Sequence, residues 1–161
     1  MTFQKVTTTI CLFSIIFLGS ACKSAFVVEN VDYAHQIESV LTPDEDGMVN
    51  DLRHGISFNI LPLQLQEFGS DSQVEIDEVR MIRNSQGFYF ITANQFNNVY
   101  VMEPGQGELK LKTKIEVSEE GLSSPAFNLR NSLVQLVELD KERVFSLTEN
   151  GIQDVNEEEQ L

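Results

Sequence analysis

A chain containing Gly87-Phe-Tyr-Phe-Ile-Thr-Ala93, then Asn94-Gln-Phe-Asn-Asn98, then Val99-Tyr-Val-Met102 has few options other than a β-sheet. Aromatic and β-branched side chains pack well on a pleated surface, whereas in a helix they crowd the preceding turn. Two such runs around an Asn-rich connection predict a β-hairpin. The first run is apolar at successive positions rather than alternate ones. That pattern predicts a central strand buried on both faces, with Phe90 inward.

The flanking sequence extends the same theme. Glu108 to Val117 alternates, so Leu109, Leu111, Thr113, Ile115 and Val117 are expected on one face and Lys110, Lys112 and Lys114 on a solvated one. Ile56, Phe58 and Ile60 also recur at period two. Leu63 and Leu65 continue that pattern past Pro62, which predicts an edge strand or a bend there. Val74 to Met81 reads as a strand. Pro43 to Asp51 and Ser118 to Asn131 read as loops. Ser132–Leu139, Arg143–Thr148 and Ile152–Val155 read as short strands, joined by turns at Asp140-Lys-Glu142 and Glu149-Asn-Gly151. One helix is expected, over about residues 31–41. Asn30 would cap it, Val31, Ala34, Ile37, Val40 and Leu41 would form its apolar face, and Thr42-Pro43 would end it. The predicted class is therefore mainly β: an antiparallel meander, sandwich or rolled sheet with one N-terminal α-helix. It forms a single domain over 31–155, followed by an acidic tail at 156–161. Val79–Ile82 with Tyr89-Phe90 is echoed by Val134–Val137 with Val144-Phe145, which favours two meanders of one sandwich over the blades of a propeller.

Composition narrows the function. Lys+Arg is 11 and Asp+Glu is 25, a formal charge of −14, which repels phosphate and excludes a nucleic-acid partner. A hydrophobic fraction of 42% is enough to build a core. His35 and His54 have no metal-ligand spacing, no Gly-x-Ser-x-Gly occurs, and Gly105-Gln-Gly107 lacks the third glycine of a dinucleotide loop. No cofactor is expected. Paired-carboxylate hydrolysis is open on inventory alone, but the acids cluster in turns and the chain has no Trp to stack on a sugar. The expectation is a protein that is not an enzyme.

Asp44-Glu-Asp-Gly-Met-Val-Asn-Asp51 resembles part of a calcium loop of the EF-hand or dockerin type. Asp44, Asp46 and Gly47 fit its third, fifth and sixth positions. Thr42 and Arg53 would then occupy the first and twelfth, and the twelfth normally supplies a bidentate carboxylate. An acidic solvated loop is favoured, with Asp44, Asp46, Asn50 and Asp51 as the calcium candidates.

The N-terminus carries an address. Lys5 precedes an uncharged apolar stretch from Val6 to Leu18, and Gly19-Ser20-Ala21-Cys22 follows. Residues 6–22 fall short of the ~20 predominantly apolar residues that span a bilayer. A cation, an apolar run and small residues describe a signal peptide over 1–21. Leu18-Gly19-Ser20-Ala21-Cys22 resembles the lipobox of bacterial lipoproteins, with Gly19 where Leu is usual. The resemblance implies acylation of Cys22, a lipidated tether over 22–30, and residence in the cell envelope. Lys23-Ser24 does not match the Asp that retains lipoproteins at the inner membrane, so it further implies the outer membrane. Ordinary cleavage after Ala21 or Ala25 and an uncleaved anchor helix are the other readings. The expected partners are the membrane, through lipid, and another protein or an envelope polymer. Against this non-catalytic binding module stand a small lipid-anchored hydrolase and an acidic inhibitor or immunity-type protein.

Overall fold

The computed structural model describes residues 37–70, 74–130 and 133–153. The signal, tether and acidic tail inferred above lie outside the described residues. Within them the chain is mainly β, with antiparallel pairing throughout. The strands are β1 (Ser39–Leu41), β2 (Met48–Asp51), β3 (Ile56–Asn59), β4 (Val79–Arg83), β5 (Tyr89–Ala93), β6 (Asn98–Pro104), β7 (Leu109–Glu116), β8 (Pro125–Arg130), β9 (Leu133–Glu138), β10 (Arg143–Thr148) and β11 (Gly151–Ile152). One α-helix, α1, spans Leu61–Phe68, and a 3₁₀ turn covers Leu139–Lys141.

Two meanders face each other. The first sheet has the order β1-β4-β5-β6-β7 and the second β11-β10-β9-β8. Between them Phe90, Val99, Val101, Ile115, Phe127, Leu136 and other apolar residues form one core. The opposite face of the first sheet is covered by the β2–β3 hairpin and α1, which add Val49, Ile60 and Leu63 to Met81, Ile91, Phe96 and Tyr100. The first sheet is thus the middle of three layers, and every residue of β5 is buried. Phe90 faces the sandwich core while its neighbours Tyr89 and Ile91 face the hairpin layer, as a period of two requires. The echoed segments are β4–β5 and β9–β10. These are the first pair of one meander and the middle pair of the other, so the echo is one of pattern rather than of place.

Several sequence expectations are corrected. Over the described part of the helix expected at 31–41, Ser39–Leu41 is a strand. Ser39 is buried, Val40 is 50% exposed and Leu41 packs on the core, which is period two. Pairing with β4 satisfies this backbone, and Pro43 disfavours a helical approach. The helix instead occupies 61–68, where the sequence predicts an edge strand or a bend at Pro62 and then a polar turn. Pro62 sits in its first turn, where its missing N–H costs nothing. The Asn59 carboxamide accepts from Leu61 N at 2.8 Å, and Gly69 ends the helix at φ 77°. Only Leu63 of the alternating leucines is buried, since Leu61 and Leu65 point outward.

The segment read as a loop over 118–131 holds β8, which begins at Pro125. A proline is tolerated as the first residue of an edge strand. Likewise β2 lies within the loop expected at 43–51. Finally, the alternation of β7 is broken. Val101 pairs with Thr113 but Met102 pairs with Leu111, so Lys112 is an extra residue. That bulge puts Leu109 on the hairpin-layer core and Ile115 on the sandwich core, where one common face was expected.

Candidate functional site

The calcium candidates are placed along the β2–β3 hairpin. Asp44 turns the chain into β2: its Oδ1 accepts from Asp46 N at 3.0 Å and Met48 N at 2.8 Å. Gly47, at φ 75°, completes that turn, and a Cβ there would lie 2.6 Å from Leu61 Cγ. The Asp46 carbonyl accepts from Asn59 Nδ2, and Asn50 Oδ1 accepts from Ser57 Oγ on the outer side of the hairpin. Asp51, next along the strand, points the other way and is buried. Asp44 and Asp46 share a turn, while Asn50 and Asp51 diverge. Among the described residues, no group of three or more His, Cys, Asp or Glu is placed to hold a metal ion.

Asp51 instead anchors the hairpin to β1. Its Oδ2 accepts from Ser39 Oγ at 3.0 Å and from His54 Nδ1 at 2.5 Å, and its Oδ1 accepts from Arg53 N at 2.8 Å. The His54 ring meets Tyr89 edge-on, centroids 5.5 Å apart. Burial alone would raise the Asp51 carboxyl, but the hydrogen bonds from His54, Arg53 and Ser39 outweigh it and hold it below its ordinary value. The serine hydroxyl is aimed at the carboxylate rather than at the imidazole. That is not the nucleophile–base–orienter order of a hydrolytic triad.

A second buried carboxylate, Glu138, closes one end of the sandwich. It sits on the inward-facing set of β9 with Val134 and Leu136 and has no exposed surface. Arg143 Nε donates to its Oε2 at 2.8 Å, Lys141 Nζ lies 3.0 Å from Oε1, and Ser123 N donates to Oε1 at 3.1 Å. Desolvation pushes this carboxyl up. The bonds from Lys141, Arg143 and Ser123 prevail and lower it. The same two cations line an open groove of about 700 Å³ whose other walls include Glu116, Glu119 and Glu120.

A tighter cleft, about 340 Å³, lies where the approach to β4, the β5–β6 turn and the start of β8 meet. Glu75, Asp77 and Glu78 line it with Arg80, Asn94 and Ser124. Arg80 is held at both ends, by Glu78 through one guanidinium nitrogen and by Glu38 Oε2 at 3.1 Å through the other. Glu38 Oε1 also accepts from Phe127 N at 2.7 Å, joining the first sheet's edge to the second sheet. Burial raises the Glu38 carboxyl despite these donors. Across the cleft Gln95 N donates to Leu122 O at 2.8 Å and Ser124 N to Asn94 Oδ1 at 3.3 Å, which fixes its walls. A cleft lined by three carboxylates is suited to accept hydrogen bonds from a basic or N–H-bearing group.

Neither Glu38 nor Glu138 was singled out by sequence. The signal existed for Glu138, which continues the inward parity of Val134 and Leu136 and faces Arg143 across a short turn. Glu38 carried none, because its partners Arg80 and Phe127 are distant in the chain. The chain matches no protein-family model, no curated protein sequence and no solved structure.

Proposed function

We propose that this chain is a lipid-anchored protein of the bacterial cell envelope, held in the outer membrane through Cys22, whose β-domain serves as a non-catalytic interaction module. The observation that carries the reading is the lipobox-like Leu18–Cys22 behind a charged start and an apolar run. Two features of the domain support it. Its buried Asp51 and Glu138 are each spent on joining elements of the fold, and the cleft beside β4 offers carboxylate acceptors for a basic or N–H-bearing group of another protein or an envelope polymer. No described helix is long and apolar enough to cross a membrane.

Cell fractionation tests the proposal. Wild-type protein is expected in the membrane pellet after an alkaline wash, and Cys22→Ala in the soluble fraction. Retention of Cys22→Ala in the washed pellet contradicts lipid anchoring.

A further inference from the structure

An asparagine can lose its amide to its own backbone. The next residue's nitrogen attacks the side-chain carbonyl carbon, ammonia leaves, and a five-membered imide remains. The step needs a following residue that crowds neither atom and a main chain able to change its dihedrals, which glycine supplies best. Asn150-Gly151 is the one Asn-Gly in the chain. It forms the turn between β10 and β11, where Glu149 and Asn150 connect the paired Thr148 and Gly151. Asn150 is exposed, and nothing lies within 4 Å of the place a Cβ on Gly151 would occupy. The local bonds are light: Asn150 Nδ2 donates to the neighbouring Glu149 Oε1 at 3.0 Å, and Asn150 N donates to Thr148 Oγ1 at 3.3 Å. Comparable sites are closed. Asp46-Gly47 has the chemistry to form the same imide, but Gly47 is buried, its N–H donates to Asp44 O at 2.9 Å, and its Cα is packed against Leu61. Asn84 precedes the small Ser85, but it is 4% exposed and its Oδ1 accepts from Gln86 N at 3.1 Å and Phe88 N at 2.9 Å. The remaining described asparagines precede larger side chains.

We propose that Asn150 is a self-modification site. The Gly151 nitrogen forms a bond to Asn150 Cγ, the bond from Cγ to the amide nitrogen breaks, and that nitrogen leaves as ammonia with the proton that Gly151 N gives up. Water, the sole co-reactant, then opens the imide. Opening at the former side-chain carbonyl yields aspartate; opening at the main-chain carbonyl yields isoaspartate, whose backbone carries an extra methylene. Either product replaces an amide that donates to Glu149 with a carboxylate beside it, adding negative charge to a chain already at −14. The isoaspartyl form also lengthens a tight turn. β11 is only two residues long, and Glu149 O accepts from Thr113 Oγ1 at 2.9 Å, so a lengthened turn is expected to loosen both β11 and the tie between this turn and β7.

Peptide mapping after ageing tests this. Full-length protein, folded and in urea, would be held at mildly alkaline pH and digested, and the aspartyl and isoaspartyl peptides separated and located by fragmentation. The expected result is that Asn150 is the fastest deamidation site of the folded protein, gives both isomers, and converts within an order of magnitude of its rate in urea. Asn150→Gln keeps the amide and the charge, but its imide would be a slower-closing six-membered ring, so position 150 should stay intact in that variant. Conversion of Asn150 in urea with none in the folded protein overturns the proposal, because the fold then protects the turn. Faster loss of ammonia at another asparagine of the folded protein, or no conversion in either state, overturns it as well.

Discussion

Arg143 stands directly across from Glu138 in the β9–β10 pairing, and its guanidinium meets a carboxylate with no exposed surface. Both cations on Glu138 keep partial access to water, so removing the acid does not strand them. Glu138→Gln is expected to cost about 1.5–3 kcal/mol at neutral pH, the range for hydrogen bonds to charged groups. Urea unfolding measures it, and an unchanged midpoint would mean that the cluster adds nothing.

Acid should destabilise the domain in a defined window. Asp51 and Glu138 are held below their ordinary values of 3.8 and 4.5. Their contribution is complete above those values and is lost as pH falls through the lower folded ones. Glu38 acts in the opposite sense: its raised carboxyl favours the folded state below 4.5, and that contribution is lost as pH rises through the folded value. Unfolding midpoints measured from pH 7 downward should fall below about pH 4.5, and less steeply in Asp51→Asn and Glu138→Gln. An acid limb identical in all three proteins would contradict the assignment.

Phe90 and Lys112 set the range of side-chain contributions. Phe90 is fully buried between the two sheets, and Phe90→Ala should cost about 3–5 kcal/mol. Lys112, the bulge residue, places its Nζ 4.9 Å from the Phe88 ring centre. Lys112→Ala should therefore cost only about 0.5–1 kcal/mol, the cation–π range at an exposed site. Equal midpoints for Phe90→Ala and wild type would refute the sandwich core.

Glu67 docks α1 onto the β5–β6 hairpin by accepting from Tyr100 Oη at 2.7 Å, Asn98 Nδ2 at 2.8 Å and Asn97 N at 2.8 Å. Tyr100→Phe removes one donor, whereas Glu67→Ala leaves three without this acceptor, two of them on buried residues. Unmade buried bonds cost about 1–3 kcal/mol each, so Glu67→Ala should be the more damaging change. The reverse order in thermal melts would show that the carboxylate is not the organising group.

Gly121, at φ 86°, brings its backbone against the β5–β6 turn, and a Cβ there would lie 2.8 Å from Gln95 O. Gly107 has φ 77° and open space around its Cβ position. Gly107→Ala should lose about 1–2 kcal/mol for left-handed backbone alone. Gly121→Ala must also push one main chain off another, so its loss should be larger. Equal losses would mean that the two loops do not need their close approach.

Legibility in the sequence followed the range of the interactions. The β5–β6 hairpin was readable because Phe88 to Ile91 and Val99 to Val101 declare their own geometry. The 61–68 segment was misread because Leu61, Leu63 and Leu65 mimic a strand. What decides it is Pro62 in a first helical turn and Glu67 reaching a distant hairpin. At 37–41 a spacing of three and four coexisted with a period of two, and pairing with β4 selected the latter. The bulge at Lys112 could not be read from a strand that alternates without a break. Asp51 was noticed as a metal candidate, yet its partners Ser39 and His54 make it a structural joint, visible only once β1 lies beside β2.

Intact-mass spectrometry of the protein extracted from membranes tests the lipid-anchored reading most directly. The account predicts a chain beginning at Cys22 whose mass exceeds the polypeptide by its acyl modification, with no such species from Cys22→Ala. An unmodified chain beginning at Cys22 or Phe26, or one that retains residues 1–21, would contradict it.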